Sequence, residues 1–170
     1  MRSDRTAFEA LFRTHVGAVH AYALRRSDPA TADDVVADTF LVCWRKFDRV
    51  PEEPLPWLYA VARRCLANRL RAVRRKRARA TPASAHQLDP TADTYEQRSH
   101  ARDVLAALAQ LPPKEREALR LCAWEGLSPA DAARVAGCTA AAFRVRLHRG
   151  RRRLAAALDP NPATVWEEAL

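Results

Sequence analysis

The densest chemistry in this chain is cationic. Between Phe143 and Leu154 the stretch FRVRLHRGRRRL holds six arginines and one histidine. A guanidinium can pair in bidentate fashion with a guanine edge or grip a phosphate, and the sequence leaves both uses open. A second run, from Arg63 to Arg79, carries nine basic residues and no acid. Groups suited to bond chemistry are scattered instead. His15, His20, His86, His100 and His148 do not gather with cysteines or paired acids at ligand spacing, and neither G-x-S-x-G nor a phosphate loop occurs. Cys43, Cys65, Cys122 and Cys138 form no C-x-x-C pair, so four buried free thiols are expected rather than a zinc site or a disulfide framework. The expectation is a protein with no catalytic residue, metal or cofactor.

Composition bounds the partner. The 170 residues carry a formal charge of +9, which favours a polyanion because cations that neutralise phosphates release condensed counterions. Residues 1–80 hold 17 basic and 9 acidic side chains, residues 81–98 hold 1 and 3, residues 99–158 hold 11 and 5, and residues 159–170 hold 0 and 3. Two basic blocks therefore flank an acidic connector. The N-terminus shows no signal-peptide pattern, and no stretch approaches the roughly 18 apolar residues of a membrane span. A cytoplasmic, nucleoid-associated protein is the expectation, with no membrane insertion.

Four glycines, few β-branched residues and abundant Ala, Leu and Arg predict an all-α fold of two small helical domains joined by a flexible linker. Phe8, Leu11, Phe12, Val16, Val19 and Leu24 predict a helix over 6–25. Val35, Val36, Phe40, Leu41, Cys43, Trp44 and Phe47 predict another over 32–47, with Asp33 and Asp34 placed against its N-terminal dipole. Pro56 suits the first turn of a third helix reaching towards Arg79. On that helix Leu58, Val61, Ala62, Cys65, Leu66 and Val73 share one side of the wheel, opposite Arg64, Ala67, Asn68, Arg71, Arg74 and Arg75. Residues 81–97, rich in Pro, Ala, Thr and Asp, read as a linker. The domains are accordingly 1–80 and 99–158, around a connector at 81–98 and before a tail at 159–170. Helices over 101–110 and 113–124 follow the connector.

The segment GLSPADAARVAGCTAAAFRVRLHRGRRRL then supplies a complete local grammar. Ser128 is an N-cap, Pro129 fits the first helical position, and Asp131 stands where a capping-box acid sits. Gly137 supplies a left-handed terminator, and Thr139 can cap the next helix. A short helix, a glycine turn and a longer basic helix constitute a helix-turn-helix. On the second helix Phe143, Leu147, Gly150 and Leu154 form one apolar stripe. Ala141, Val145, His148 and Arg152 lie opposite, flanked by Arg144 and Arg149. A solvated helix face would carry the same charge, but the capped helix and glycine turn in front favour DNA. Arg146, Arg151 and Arg153 read as phosphate grips or solvated flank.

On these motifs the chain resembles bacterial extracytoplasmic-function (ECF) sigma factors, a group of the sigma-70 family, over about residues 6–156. LPPKEREALRLCAWEGLSPADAARVAGCTAAAFRVRLHRGRRRL is similar to the family's fourth region, ADDVVADTFLVCWRKFDRV to the polymerase-binding helix of its second region, and PWLYAVARRCLANRLRAVRRKR to the helix that opens and reads the promoter. The resemblance implies that Asp33, Asp34, Asp38, Phe40 and Trp44 bind core RNA polymerase at its large-subunit clamp, with a flap contact elsewhere. It implies that Arg63, Arg64, Asn68, Arg71, Arg74 and Arg75 meet the minus-10 element, with the loop DRVPEEP receiving a flipped base. It further implies that Thr139, Ala141, Arg144, Val145, Arg146, His148, Arg149 and Arg152 meet the minus-35 element. An anti-sigma factor is an expected partner. Many family members have Asn in place of Arg64 and Asp in place of Asn68, and both changes make this surface more positive. The alternative is a stand-alone helix-turn-helix regulator, dimeric on half-sites about one helical turn apart.

Overall fold

The structure is a computed structural model, and it describes residues 2–78 and 95–158, with side chains described from Asp4 to Val73, at Arg75 and from Ala101 to Leu158. Seven α-helices and one 3-10 turn occur among the described residues: α1 (Arg2–Leu24), α2 (Pro29–Arg45), the turn at Phe47–Arg49, α3 (Pro54–Ala78), α4 (Tyr95–Gln110), α5 (Pro113–Ala123), α6 (Pro129–Ala136) and α7 (Ala140–Leu158). The chain divides into two compact units, residues 1–88 and 89–170. That division falls inside the proposed connector, most of which lies outside the described residues, as does the tail.

The first unit packs α1, α2 and α3 against one another. Val19, Tyr22 and Ala23 of α1, Val35 and Cys43 of α2, and Leu58, Ala62 and Leu66 of α3 are buried together. At one end Phe8 lies edge-on to Trp44, with ring centroids 5.1 Å apart, and Phe12 meets Phe40 at 4.7 Å. Such tilted pairs add to the stabilisation from burial alone. Thr39 is fully buried among these residues. It is tolerated because its hydroxyl donates to the Val35 carbonyl at 2.6 Å, so no polar group is stranded.

Several sequence expectations are corrected here. The second helix begins at Pro29, three residues early, because Asp28 caps it by accepting from the Thr31 amide at 2.9 Å. Asp33 and Asp34 thus stand in the second turn rather than at the dipole's end. The third helix opens at Pro54, not Pro56, since either proline fits a first turn. Leu41 and Val73, placed on apolar faces by their spacing, are 47% and 39% exposed, and Trp44, read both as an apolar position of α2 and as a polymerase contact, is 46% exposed. Val73 lies near the end of the described side chains of α3, where it is partly exposed. The fourth helix reaches back to Tyr95, inside the span read as a linker. Of the four cysteines, all free, only Cys43 is buried; the others are half-buried.

The second unit packs α7 against α4, α5 and α6. At Gly150 α7 lies close against α5. A Cβ there would lie 3.2 Å from the Glu115 carbonyl oxygen and 3.3 Å from Leu119. The spacing of Phe143, Leu147 and Gly150, all buried, therefore seats one stripe of α7 on the unit's core.

Candidate polymerase and nucleic-acid interfaces

The α6–α7 pair is built by its caps. Ser128 accepts from the Asp131 amide at 3.1 Å and donates its hydroxyl to the Asp131 carboxylate at 2.5 Å. The shorter Asp thus closes the box on the serine hydroxyl. That hydrogen bond, with a contribution from Arg134, holds the Asp131 carboxyl below its usual range. Gly137 ends α6 at φ +65°, in the left-handed region that glycine enters at no steric cost. Thr139 then accepts from the Ala142 amide at 3.2 Å and opens α7.

With the apolar stripe seated, the rest of α7 faces outward. Thr139, Ala141, Arg144, Val145, His148, Arg149 and Arg152 are exposed, and Arg146 is half-buried. Val145, 49% exposed, is an apolar side chain among long donors. His148, Arg149, Arg152 and Arg153 line a hollow of about 320 Å³. Arg153 departs from its expected role as a phosphate grip or flank. Its Nη1 donates to both oxygens of Glu115, at 2.7 and 2.8 Å, and Glu115 is buried. This arginine neutralises an acid of the unit's own core.

On α3, Arg63, Arg64, Asn68, Arg71 and Arg75 are exposed; the side chain of Arg74 lies outside the described residues. Arg64 donates to the Ala60 carbonyl at 3.1 Å, and Arg71 donates to Asn68 at 2.6 Å, so both lie along their own helix. Lys46 and Arg49, from the segment between α2 and α3, join Trp57, Val61, Arg64 and Asn68 around a hollow of about 340 Å³, with Val42 and Cys65 completing it. The hollow thus combines the apolar side chains of Val42, Trp57 and Val61 with the cations Lys46, Arg49 and Arg64. Burial raises the Cys65 thiol's pKa, so it stays protonated at neutral pH.

The five residues expected at the polymerase surface separate. Phe40 is 4% exposed and supports the surface from behind. Trp44 reaches solvent beside a hollow of about 530 Å³ shared with Asp4, Arg5, Arg45, Phe47 and Asp48. Asp33 is hydrogen-bonded to His20 at 3.1 Å. Asp34, Asp38 and the exposed Leu41 recur at four and three residues, making one stripe of α2. Arg69 of α3, which sequence reasoning missed, donates to Asp38 at 2.8 Å and to Asp34 at 2.6 Å. Its partners lie 31 and 35 residues away in the chain, beyond the reach of any local spacing rule. Among the described residues no group of three or more His, Cys, Asp or Glu converges as a metal site, and no helix is long and apolar enough to cross a membrane.

An all-α unit bearing a basic, partly apolar hollow, followed by a unit with a capped helix-turn-helix, defines the class. Residues 11–76 match the family Sigma-70 region 2 and residues 101–154 match Sigma-70, region 4. The chain belongs to the sigma-70 family, within its ECF group. It is 33% identical to the ECF RNA polymerase sigma factor SigC of Mycobacterium tuberculosis, over 96% of this chain and 89% of the relative. It is 35% identical to the RNA polymerase sigma factor CarQ of Myxococcus xanthus, over 87% of each. Among solved structures it is similar to the sigma factor RpoE, in complex with the anti-sigma factor NepR, from Bartonella quintana. That match has 26% identity and a TM-score of 0.65, and covers 89% of this chain and 96% of the other. CnrH, in complex with the cytosolic domain of CnrY, matches at 28% identity with a TM-score of 0.59, over 91% and 89% of the two chains. Membership in this group disfavours the stand-alone dimeric regulator.

Proposed function

We propose that this ECF RNA polymerase sigma factor binds core polymerase through α2, reads the minus-35 element with α7, and helps open and read the minus-10 element with α3. The observation that carries the proposal is the division of α7. Phe143, Leu147 and Gly150 are buried, while Arg144, Val145, His148, Arg149 and Arg152 stand together on the opposite side. A reading helix needs that separation of anchor from donors. Thr139 and Ala141 allow close approach near its N-terminus, and Arg146 reaches the flanking backbone.

The minus-10 contacts are Arg63, Arg64, Asn68, Arg71, Arg74 and Arg75, and a flipped base enters the hollow walled by Trp57 and Val61. The polymerase clamp meets Asp33, Asp34, Asp38 and Trp44, with Phe40 fixing the surface from within. The acids of α2 give a predominantly basic protein a face of opposite sign, which suits a basic protein partner and not DNA. Residues 1–80 and 99–158 form the two working domains, tethered by 81–98, and the second also contacts the polymerase flap. The protein acts in the cytoplasm on the nucleoid, is a non-catalytic subunit, and requires no metal or cofactor. Regulation by an anti-sigma factor is supported by the complexes in which RpoE and CnrH are held by NepR and CnrY.

Run-off transcription with core polymerase and genomic fragments, with and without this protein, tests the proposal. A start site that requires the protein is the expected result. No new start site, together with protection of a palindrome by the protein alone, would overturn it.

A further inference from the structure

The geometry points to Arg69 as a positioning residue for polymerase docking: it holds Asp34 and Asp38 side by side, leaving one oxygen of each to accept from the partner. The inference rests on the proposed use of α2 as the polymerase-binding surface. Its physical basis is the pattern of atoms engaged. Nη1 of Arg69 meets Oδ2 of Asp34 at 2.6 Å, while Nε and Nη2 both meet Oδ2 of Asp38 at 2.8 Å. The guanidinium thus uses one oxygen of each acid. Asp34 and Asp38 keep 56% and 38% of their side-chain surface exposed.

Two carboxylates four residues apart on a helix repel each other and sample separate rotamers. A planar guanidinium between them removes the repulsion and fixes both. Arg69 is anchored on α3, one residue from Asn68 and two from Arg71, which makes the polymerase face and the promoter-opening helix share one ion-pair bridge. A lysine at this position could not reproduce that geometry, because an ammonium is a point charge with no fork.

Charge counting and positioning make opposite predictions. Removing a cation leaves the α2 face more negative, so if Arg69 merely masks the acids, its loss would tighten binding to a basic partner. If Arg69 positions them, its loss weakens binding, because both carboxylates must then be ordered during docking. The test titrates fluorescently labelled full-length wild type, Arg69→Met, Arg69→Lys, Asp34→Asn and Asp38→Asn with core RNA polymerase. Each is read at several salt concentrations, at a temperature where circular dichroism shows the variant folded.

Arg69→Met is expected to weaken binding about tenfold, as ordering two side chains would require, and Arg69→Lys to fall between it and wild type. In an Asp34→Asn, Asp38→Asn background, Arg69→Met is expected to have no further effect. Equal or tighter binding by Arg69→Met, with the Asp variants weakened, overturns the positioning role and leaves the docking surface standing. Unchanged binding by both Asp variants overturns the docking surface and this inference with it. Should Arg69→Met fail to fold, Arg69→Lys decides alone, and wild-type affinity in that variant contradicts the inference.

Discussion

Two arginines nine residues apart on one helix have opposite assignments. Arg144 points outward from α7, whereas Arg153 neutralises buried Glu115. Arg144→Ala should therefore leave thermal stability unchanged and weaken recognition at one minus-35 base pair by about 1–3 kcal/mol. Run-off assays on promoters substituted at each minus-35 position check this, and equal loss on every sequence would reduce Arg144 to a phosphate contact. Arg153→Ala should instead destabilise the second unit by about 1–3 kcal/mol, because a buried carboxylate loses its partner. Denaturant unfolding distinguishes the two. The outward set on α7 was legible in the sequence because helical periodicity is local. Arg153 and Arg69 were not, since each binds acids 31 to 38 residues away. Phe40 and Trp44, one turn apart on α2, were equally ambiguous by spacing; in the fold Phe40 meets both Phe8 and Phe12 of α1 and is buried, whereas Trp44 meets Phe8 and stays 46% exposed.

At the scale of elements, the helix-turn-helix stands on two local devices, the Ser128–Asp131 box and left-handed Gly137, and on one distant contact, that of Gly150 with Glu115 and Leu119 of α5. The first two were legible in outline because capping and turn chemistry depend on neighbouring residues, whereas for Gly150 only its place on the apolar stripe was. Helix α3 was legible in type but not in extent, since two prolines compete for its start and no spacing rule shows how far apolar Val73 would find cover. Gly137→Ala should cost about 1–2 kcal/mol, the steric penalty of a Cβ in the left-handed region. Gly150→Val should cost about 1–3 kcal/mol by overpacking against Leu119 and the Glu115 carbonyl. Both are checked by thermal unfolding followed by circular dichroism. The Asp131 carboxyl has its folded pKa depressed by its hydrogen bond from Ser128. Its stabilising contribution is therefore complete above the ordinary value of 3.8 and is lost as pH falls through the folded value. The gap in melting temperature between wild type and Asp131→Asn should accordingly narrow as the solution is acidified below 3.8.

For the whole molecule, under the proposed function, two units with separate cores divide the work of initiation, and the net charge of +9 includes the acids Asp33, Asp34 and Asp38 of α2 as well as the basic runs of α3 and α7. In that proposal α7 places the holoenzyme at the minus-35 element and α3 opens the duplex. Transcription from a premelted minus-10 template separates these roles most directly, because the template supplies what α3 would otherwise do. Reconstituted holoenzyme carrying Arg71→Ala should fail on duplex DNA and recover on the premelted template, while Arg144→Ala should remain impaired on both. Recovery of both variants alike, or of neither, would contradict the division of labour between the two helices.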